Sequence, residues 1–284
     1  MCRPGRVGVI GDGEGGKYMS GVWTTAFLTG GGSGIGLRLA EMLAERKVRL
    51  AVFDLKVSDE VRNRLGSLAP GSVFHQVDVR DAEGLEAAVR TAVTEIGPPQ
   101  LAINSAGVQR TKVFEELTAA DFSFVVDINL KGSRNFAAAV LPHMASGSRL
   151  VLLASLAGLV GNYAYAAYNA SKFGVVGLAS ALRIEYKPRG IAVTVVCPPE
   201  VETPMVVEER RHAPAVAMKT KDFAGVVPLD MVCADILRGA ERGEWMVITG
   251  FKANLTRFLA RMVPGLMNRI TDGMVADGLR KLQP

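Results

Sequence analysis

Seven short apolar runs punctuate the chain, and between them apolar residues return every three or four positions. The runs are 22–29 (VWTTAFLT), 48–53, 73–77, 101–103, 150–154, 191–196 and 245–249. Several are apolar at consecutive rather than alternate positions, the mark of a strand covered on both faces. Segments with helical period cover 37–44, the stretch from the capping Asp81 to Glu95, 114–140, the residues from Tyr168 to Lys187, and 230–242. Strand and helix alternate throughout. The expected fold class is therefore α/β, a mostly parallel, doubly wound sheet of about seven strands inside a three-layer αβα sandwich.

Open sheets of this kind bind ligands at the carboxyl ends of their strands. After the first strand, Thr29-Gly30-Gly31-Gly32-Ser33-Gly34-Ile35-Gly36 leads into a helix. Missing side chains let the backbone approach a pyrophosphate there, and the positive end of the helix faces its charge, as in a Rossmann-type site. An earlier set, Gly11, Gly13 and Gly16, has the tighter G-x-G-x-x-G spacing, but no helical period follows it. Asp54 ends the second strand. An acid at that place accepts hydrogen bonds from the adenosine ribose and repels a 2′-phosphate, so NAD is the preferred cofactor. Arg38 and Lys56 stand close enough in sequence to keep NADP open. Asp78-Val79 after the third strand would border the adenine, and Asn104-Ser105-Ala106-Gly107 after the fourth would lie beside the cofactor.

The fifth strand delivers Ser155. The next helix carries Tyr168 and Lys172, one turn apart on one face. Phenol and ammonium can meet in front of Ser155 and form a proton-transfer site. A free phenol ionises near ~10. A lysine charge about 5 Å away, at an effective dielectric of ~20, favours the phenolate by about 3 kcal/mol. That brings the phenol close to neutral pH, where acid–base catalysis is most efficient. Tyr163 and Tyr165 compete for the role, but Ala167 and Asn169 stand where their lysines would have to be. The plainer alternative is a packing aromatic beside a solvated lysine. Asn129 lies in an otherwise apolar helical face, so it either braces the sheet or binds an ordered water.

Size and composition narrow the classes. A chain of 284 residues, 49% hydrophobic and 21% charged, suits one large soluble domain. No apolar stretch reaches the ~18 residues of a membrane span, and the start MCRPGRVGVIGDGEGG lacks the apolar core of a secretory signal. Cys2, Cys197 and Cys233 have no metal-ligand spacing, so no metal is expected and a reduced, cytoplasmic compartment fits them. The net charge of +5 is concentrated in 251–284, where Lys252, Arg257, Arg261, Arg269, Arg280 and Lys281 stand against Asp272 and Asp277. A basic tail without interleaved stacking aromatics argues against nucleic acid.

Thr29-Gly30…Gly34-x-Gly36, Asp78, Asn104-Ser105-Ala106-Gly107, Asn129, Ser155, Tyr168-Asn169-Ala170-Ser171-Lys172 and Pro198 occur in this order. Together they resemble the short-chain dehydrogenases/reductases over about 22–249. The resemblance implies an oxidoreductase that interconverts a secondary alcohol and a ketone with NAD or NADP. It implies Tyr168 as general acid/base, with Lys172 lowering its pKa and holding the nicotinamide ribose. Ser155 would bond the substrate oxygen and Asn129 would anchor a relay water. Cofactor contacts are implied for Thr29, Gly30, Gly32, Ser33, Gly34, Ile35, Gly36, Asp54, Leu55, Asp78, Val79, Asn104, Ala106 and Gly107. Tyr168, Lys172, Pro198 and Val201 join them, with Thr203 on the carboxamide. A homodimer or homotetramer is implied as well. Asn-Ser-Ala-Gly and Pro-Pro replace the family's usual Asn-Asn-Ala-Gly and Pro-Gly. The run from Pro198 to Pro204 (PPEVETP) resembles the 3-ketodihydrosphingosine reductase branch, which uses NADPH, and points to a lipophilic substrate. A non-catalytic dinucleotide sensor on the same fold is the alternative, and the presence of Ser155, Tyr168 and Lys172 together speaks against it.

In the tail, Phe251, Leu255, Phe258, Leu259, Met262, Val263, Leu266, Met267 and Ile270 fall at helical spacing, and Pro264 is expected to kink or split the helix. Three readings stay open for it: peripheral contact with a membrane surface, a cover over the substrate mouth, or packing on a partner subunit. The expected organisation is a flexible extension over 1–18, a dinucleotide-binding domain over 19–250 and a basic amphipathic tail over 251–284.

Overall fold

The structure, a computed structural model, describes residues 23–203, 205–206, 213–214, 216–217 and 225–281. The extension expected over 1–18 and the charged run at 208–212 lie outside the described residues. The strands are β1 (Thr25–Thr29), β2 (Arg49–Asp54), β3 (Val73–Gln76), β4 (Leu101–Asn104), β5 (Arg149–Leu153), β6 (Ala192–Val196), β7 (Glu200–Val201), β8 (Val226–Val227) and β9 (Met246–Val247). Seven of them form one sheet in the order β3-β2-β1-β4-β5-β6-β9, every neighbouring pair parallel. The short strands β7 and β8 pair separately.

Alternate residues of each strand feed two different cores, which is why the strands are apolar at nearly every position. Ala26 and Leu28 of β1, Leu50 and Val52 of β2, and Leu101 and Ile103 of β4 pack into one core. That layer contains α1 (Gly34–Glu45), α2 (Asp59–Leu68) and α7 (Leu229–Arg242). Phe27, Phe53, Ala102, Leu150 and Leu152 point the other way. They meet α3 (Ala82–Ile96), α5 (Gly132–Val140) and α6 (Ala166–Tyr186). The expected three-layer sandwich is the observed one.

Two elements depart from the periodicity, and the tail breaks where Pro264 implied. No helix was legible over α2, because only Val61 and Leu65 of it are buried. The stretch 114–140 is not one helix. It comprises a 3₁₀ turn at Phe114–Glu116, α4 (Ala119–Val126), a π-helical turn at Asp127–Lys131, and then α5. Asn129 sits in that π turn, a conformation frequent at functional sites. The tail divides at Val263 into α8 (Phe251–Met262) and α9 (Pro264–Arg280), with Pro264 in the first turn of α9, where its missing N–H costs nothing.

From β1 the chain steps outward to β2 and β3, then crosses to β4 on the other side. The carboxyl ends of β1 and β4 therefore diverge at the topological switch point, and a cleft opens there.

Candidate active site

The cleft holds about 360 Å³ and spans the two groups of residues that the sequence marked separately. One end carries Gly30, Ser33, Gly34, Asp54 and Asp78. The other carries Ser155, Tyr168 and Lys172 against an apolar wall that includes Leu156, Val160, Met205, Met267 and Met274.

The glycine turn is dictated by close approach. Gly30 has φ +67°, and a Cβ on it would stand 2.7 Å from the Ala106 nitrogen. A Cβ on Gly36 would collide with the Gly30 carbonyl oxygen. The turn is thus pressed against the loop after β4. Ser33, the N-cap of α1, makes no side-chain capping bond, and no acidic residue occupies the first turn. The first N–H groups of α1 are left for an anion. These features fit the pyrophosphate of a dinucleotide.

Asp54 turns back onto this loop, its Oδ2 accepting from the Gly32 N–H at 2.9 Å and its Oδ1 from the Lys56 N–H at 3.3 Å. Arg38 does not line the cleft. Its Nε donates to Asp230 at 2.7 Å, Glu41 and Glu45 lie 3.4 Å from its Nη1, and the hydrogen bond to Asp230 raises its pKa further. Asp78 accepts from the Arg80 side chain, which holds its carboxyl below the usual range.

At the other end, Ser155 follows β5 and its Oγ accepts from the Ala157 N–H at 3.2 Å. Lys172 reaches under the Tyr168 ring, with Nζ 5.6 Å from the ring centroid. Its ammonium is buried and donates to the Leu153 carbonyl at 2.9 Å. Burial pushes its pKa down to about 8. Nearby Cys197 is a buried thiol whose pKa burial pushes up to about 12.

Asn129 is completely buried. Its Oδ1 accepts from the Val108 N–H at 2.8 Å, and its Nδ2 donates to the Val108 carbonyl and to Ser171 Oγ. These bonds tie the loop at Val108 to α6 at Ser171. Behind Asn129 runs a buried chain. Thr29 Oγ1 donates to Asn104 Oδ1, Asn104 Nδ2 to Ser133 Oγ, and Ser133 Oγ to the Asn129 carbonyl.

Gly30, Ser33, Gly34, Ile35, Asp54, Leu55, Asp78, Val79, Ala106, Gly107, Ser155, Tyr168, Lys172, Pro198, Val201 and Thr203 all line the cleft. Thr29, Gly32, Gly36, Asn104 and Asn129 do not; Thr29, Asn104 and Asn129 belong to the buried chain of bonds behind its wall. Sequence reasoning missed Asn169, whose Nδ2 donates to the Ala157 and Val160 carbonyls and pins the Ser155 loop to α6. It also left open what the tail touches. Thr256 of α8 and Met267, Thr271, Met274 and Val275 of α9 line the cleft. The spacing of the α9 residues, one helical face, was the available signal.

Comparison with known proteins gives this arrangement its class. A family model described as short chain dehydrogenase matches residues 24–214. The chain belongs to the short-chain dehydrogenase/reductase family and is an oxidoreductase acting on CH–OH groups or ketones with a nicotinamide dinucleotide. Oxidoreductase UcpA of Salmonella typhimurium is 36% identical over 187 residues, which cover 64% of this chain and 70% of that protein. A 3-dehydrosphinganine reductase of Arabidopsis thaliana is 36% identical over 239 residues, 81% of this chain and 72% of that one. The crystal structure of a short chain dehydrogenase from Mycobacterium paratuberculosis bound to NAD covers 84% of this chain and 100% of its own, with a TM-score of 0.75 at 23% identity. That likeness concerns the fold.

Proposed function

We propose that the chain interconverts a lipophilic ketone and its secondary alcohol with NAD(H), and that Tyr168 moves the proton. One observation supports this reading above all: Tyr168, Ser155 and Lys172 share a cleft with the glycine turn and Asp54. When bound, the nicotinamide dinucleotide supplies or accepts the hydride. In the reductive direction Tyr168 Oη gives its proton to the substrate oxygen as negative charge develops there. Ser155 Oγ donates a hydrogen bond to the same oxygen. Lys172, cationic below about pH 8, favours the phenolate left behind. The phenolate then regains a proton from solvent. Asn129 is a positioning residue, tying the loop at Val108 to Ser171. The start of α1 with Gly30 and Gly34 would hold the pyrophosphate, Gly36 packing behind them against the Gly30 carbonyl. Asp78 and Val79 would border the adenine, and Thr203 would meet the carboxamide.

Asp54 would accept the adenosine ribose hydroxyls, and Arg38 is committed to three carboxylates rather than to a 2′-phosphate. Asp54→Ala is expected to raise the NADH dissociation constant roughly tenfold, about 1.4 kcal/mol, and to bring NADPH close to parity. Fluorescence titration with both cofactors checks this. A wild type that binds NADPH more tightly than NADH would reverse the assignment.

The substrate-side wall combines apolar residues with Thr256, Thr271 and a buried acid, Glu200, two residues after Pro198. An amine beside the reacting ketone, as in 3-dehydrosphinganine, is the chemistry such a group recognises. Glu200→Gln is expected to raise KM for a long-chain 2-amino ketone roughly tenfold, with KM for the matching neutral ketone unchanged. Equal effects on both substrates would remove Glu200 from recognition. Exposed Phe122 on α4, with Phe173 and Ile184 on α6, offers a face for a homodimer or homotetramer. The enzyme is read as cytoplasmic.

A further inference from the structure

The α8 helix is amphipathic with its apolar stripe turned outward. At roughly 100° per residue, Phe251, Leu255, Phe258 and Met262 fall within about 60° of arc. All four are exposed, Phe251 at 81%, Phe258 at 58% and Met262 at 61%. Ala253 and Thr256, on the opposite side, are buried. Val263 and Leu266 extend the exposed strip through the turn into α9. An isolated surface leucine needs no explanation, whereas a contiguous patch of this kind marks a contact surface. On the helical wheel exposed Lys252 flanks the stripe on one side and exposed Arg261 on the other, and exposed Arg269 follows on α9.

We infer that this outer face of the α8–α9 hairpin docks on an anionic lipid bilayer, placing the stripe among the acyl chains and the basic residues at the headgroups. The charge arrangement selects that occupant. Apolar residues flanked on both sides by lysine and arginine are the pattern of a helix lying in a membrane interface. A second copy of the chain would bring the same basic rows against each other in a two-fold contact, with Asp272 and Asp277 as the tail's only acids. No described helix is long and apolar enough to cross a membrane, so the contact is peripheral. The hairpin's other side forms part of the cleft wall through Thr256, Met267, Thr271 and Met274. One hairpin therefore has lipid on its outer side and the cleft on its inner side, which gives a lipophilic substrate a short path from bilayer to cleft.

Vesicle binding tests this without turnover, so it stands or falls apart from the catalytic reading. The full-length protein is floated with vesicles of phosphatidylcholine alone and of phosphatidylcholine with 30% phosphatidylserine, beside Phe251→Ser/Phe258→Ser and Arg261→Gln/Arg269→Gln. The expected result is at least tenfold stronger partitioning to the anionic vesicles and at least a tenfold loss in each double variant. Both variants should keep wild-type turnover on a short, water-soluble ketone, which also reports that they fold. Wild-type flotation equal on both vesicles, or unchanged in the variants, would overturn the inference. So would a wild-type oligomer that falls apart in the Phe variant by sedimentation equilibrium, since the stripe would then belong to a subunit interface.

Discussion

Replacing Tyr168 by Phe is expected to lower kcat by roughly 10²–10⁴-fold, the usual worth of a positioned acid–base group, while the NADH dissociation constant stays within about threefold. The substitution removes one oxygen and keeps the ring, with its edge-on contact to Tyr165 at a centroid distance of 6.0 Å. The two outcomes separate chemistry from binding, because cofactor contacts at the glycine turn lie at the far end of the cleft. Turnover retained within tenfold in this variant would take the phenol out of the reaction. Silence of the wild type on every ketone and secondary alcohol, with NADH still bound, would instead favour the non-catalytic sensor.

The second large effect has opposite signs for stability and activity. Lys172→Met should abolish measurable turnover and yet make the cofactor-free protein more stable at pH 7. The ammonium is buried with its pKa pushed from 10.5 to about 8, and each tenfold loss of proton affinity corresponds to about 1.4 kcal/mol. The folded state thus carries a desolvation cost of about 3 kcal/mol, offset in part by the hydrogen bond to the Leu153 carbonyl, worth about 1 kcal/mol. A net gain of about 1–2 kcal/mol is expected for the variant. Its pH dependence follows from linkage. Between about 8 and 10.5 the unfolded chain binds more protons at this site, so wild-type stability rises with pH through that window. The variant's advantage is therefore full below about pH 8 and vanishes above about 10.5. Urea unfolding at pH 7, 9 and 10.5 checks both sign and window. A variant less stable than wild type at pH 7, or an advantage indifferent to pH, would contradict the buried-cation picture. An unfavourable buried charge kept beside a phenol makes sense as a functional device.

The legibility of the chain was uneven for physical reasons. Strands covered on both faces announce themselves as continuous apolar runs, and all seven sheet strands overlap the predicted runs. The α2 helix was not announced, because it shields the sheet with only two buried residues and is polar elsewhere. The π turn at Asp127–Lys131 was hidden because one extra residue leaves the helical period nearly intact. In the site, reactive groups at strand ends were legible from residue type and spacing. The supporting bonds were not, since Asn169 reaches back across twelve residues to the Ala157 carbonyl and Asn129 reaches forward to Ser171. The tail's apolar residues were visible, but which of them face the cleft depends on how α8 and α9 fold back at Val263.

The central claim is that a fixed cation makes one particular phenol acidic. Absorbance at 295 nm reads phenolate formation directly, and the chain has five tyrosines. A titration of wild type against Tyr168→Phe should reveal one phenol in the wild type that ionises ahead of the others and is missing from the variant. If the wild-type curve is only the variant's curve plus one tyrosine titrating near the ordinary ~10, Lys172 does not activate Tyr168 and the mechanism proposed for the cleft is wrong.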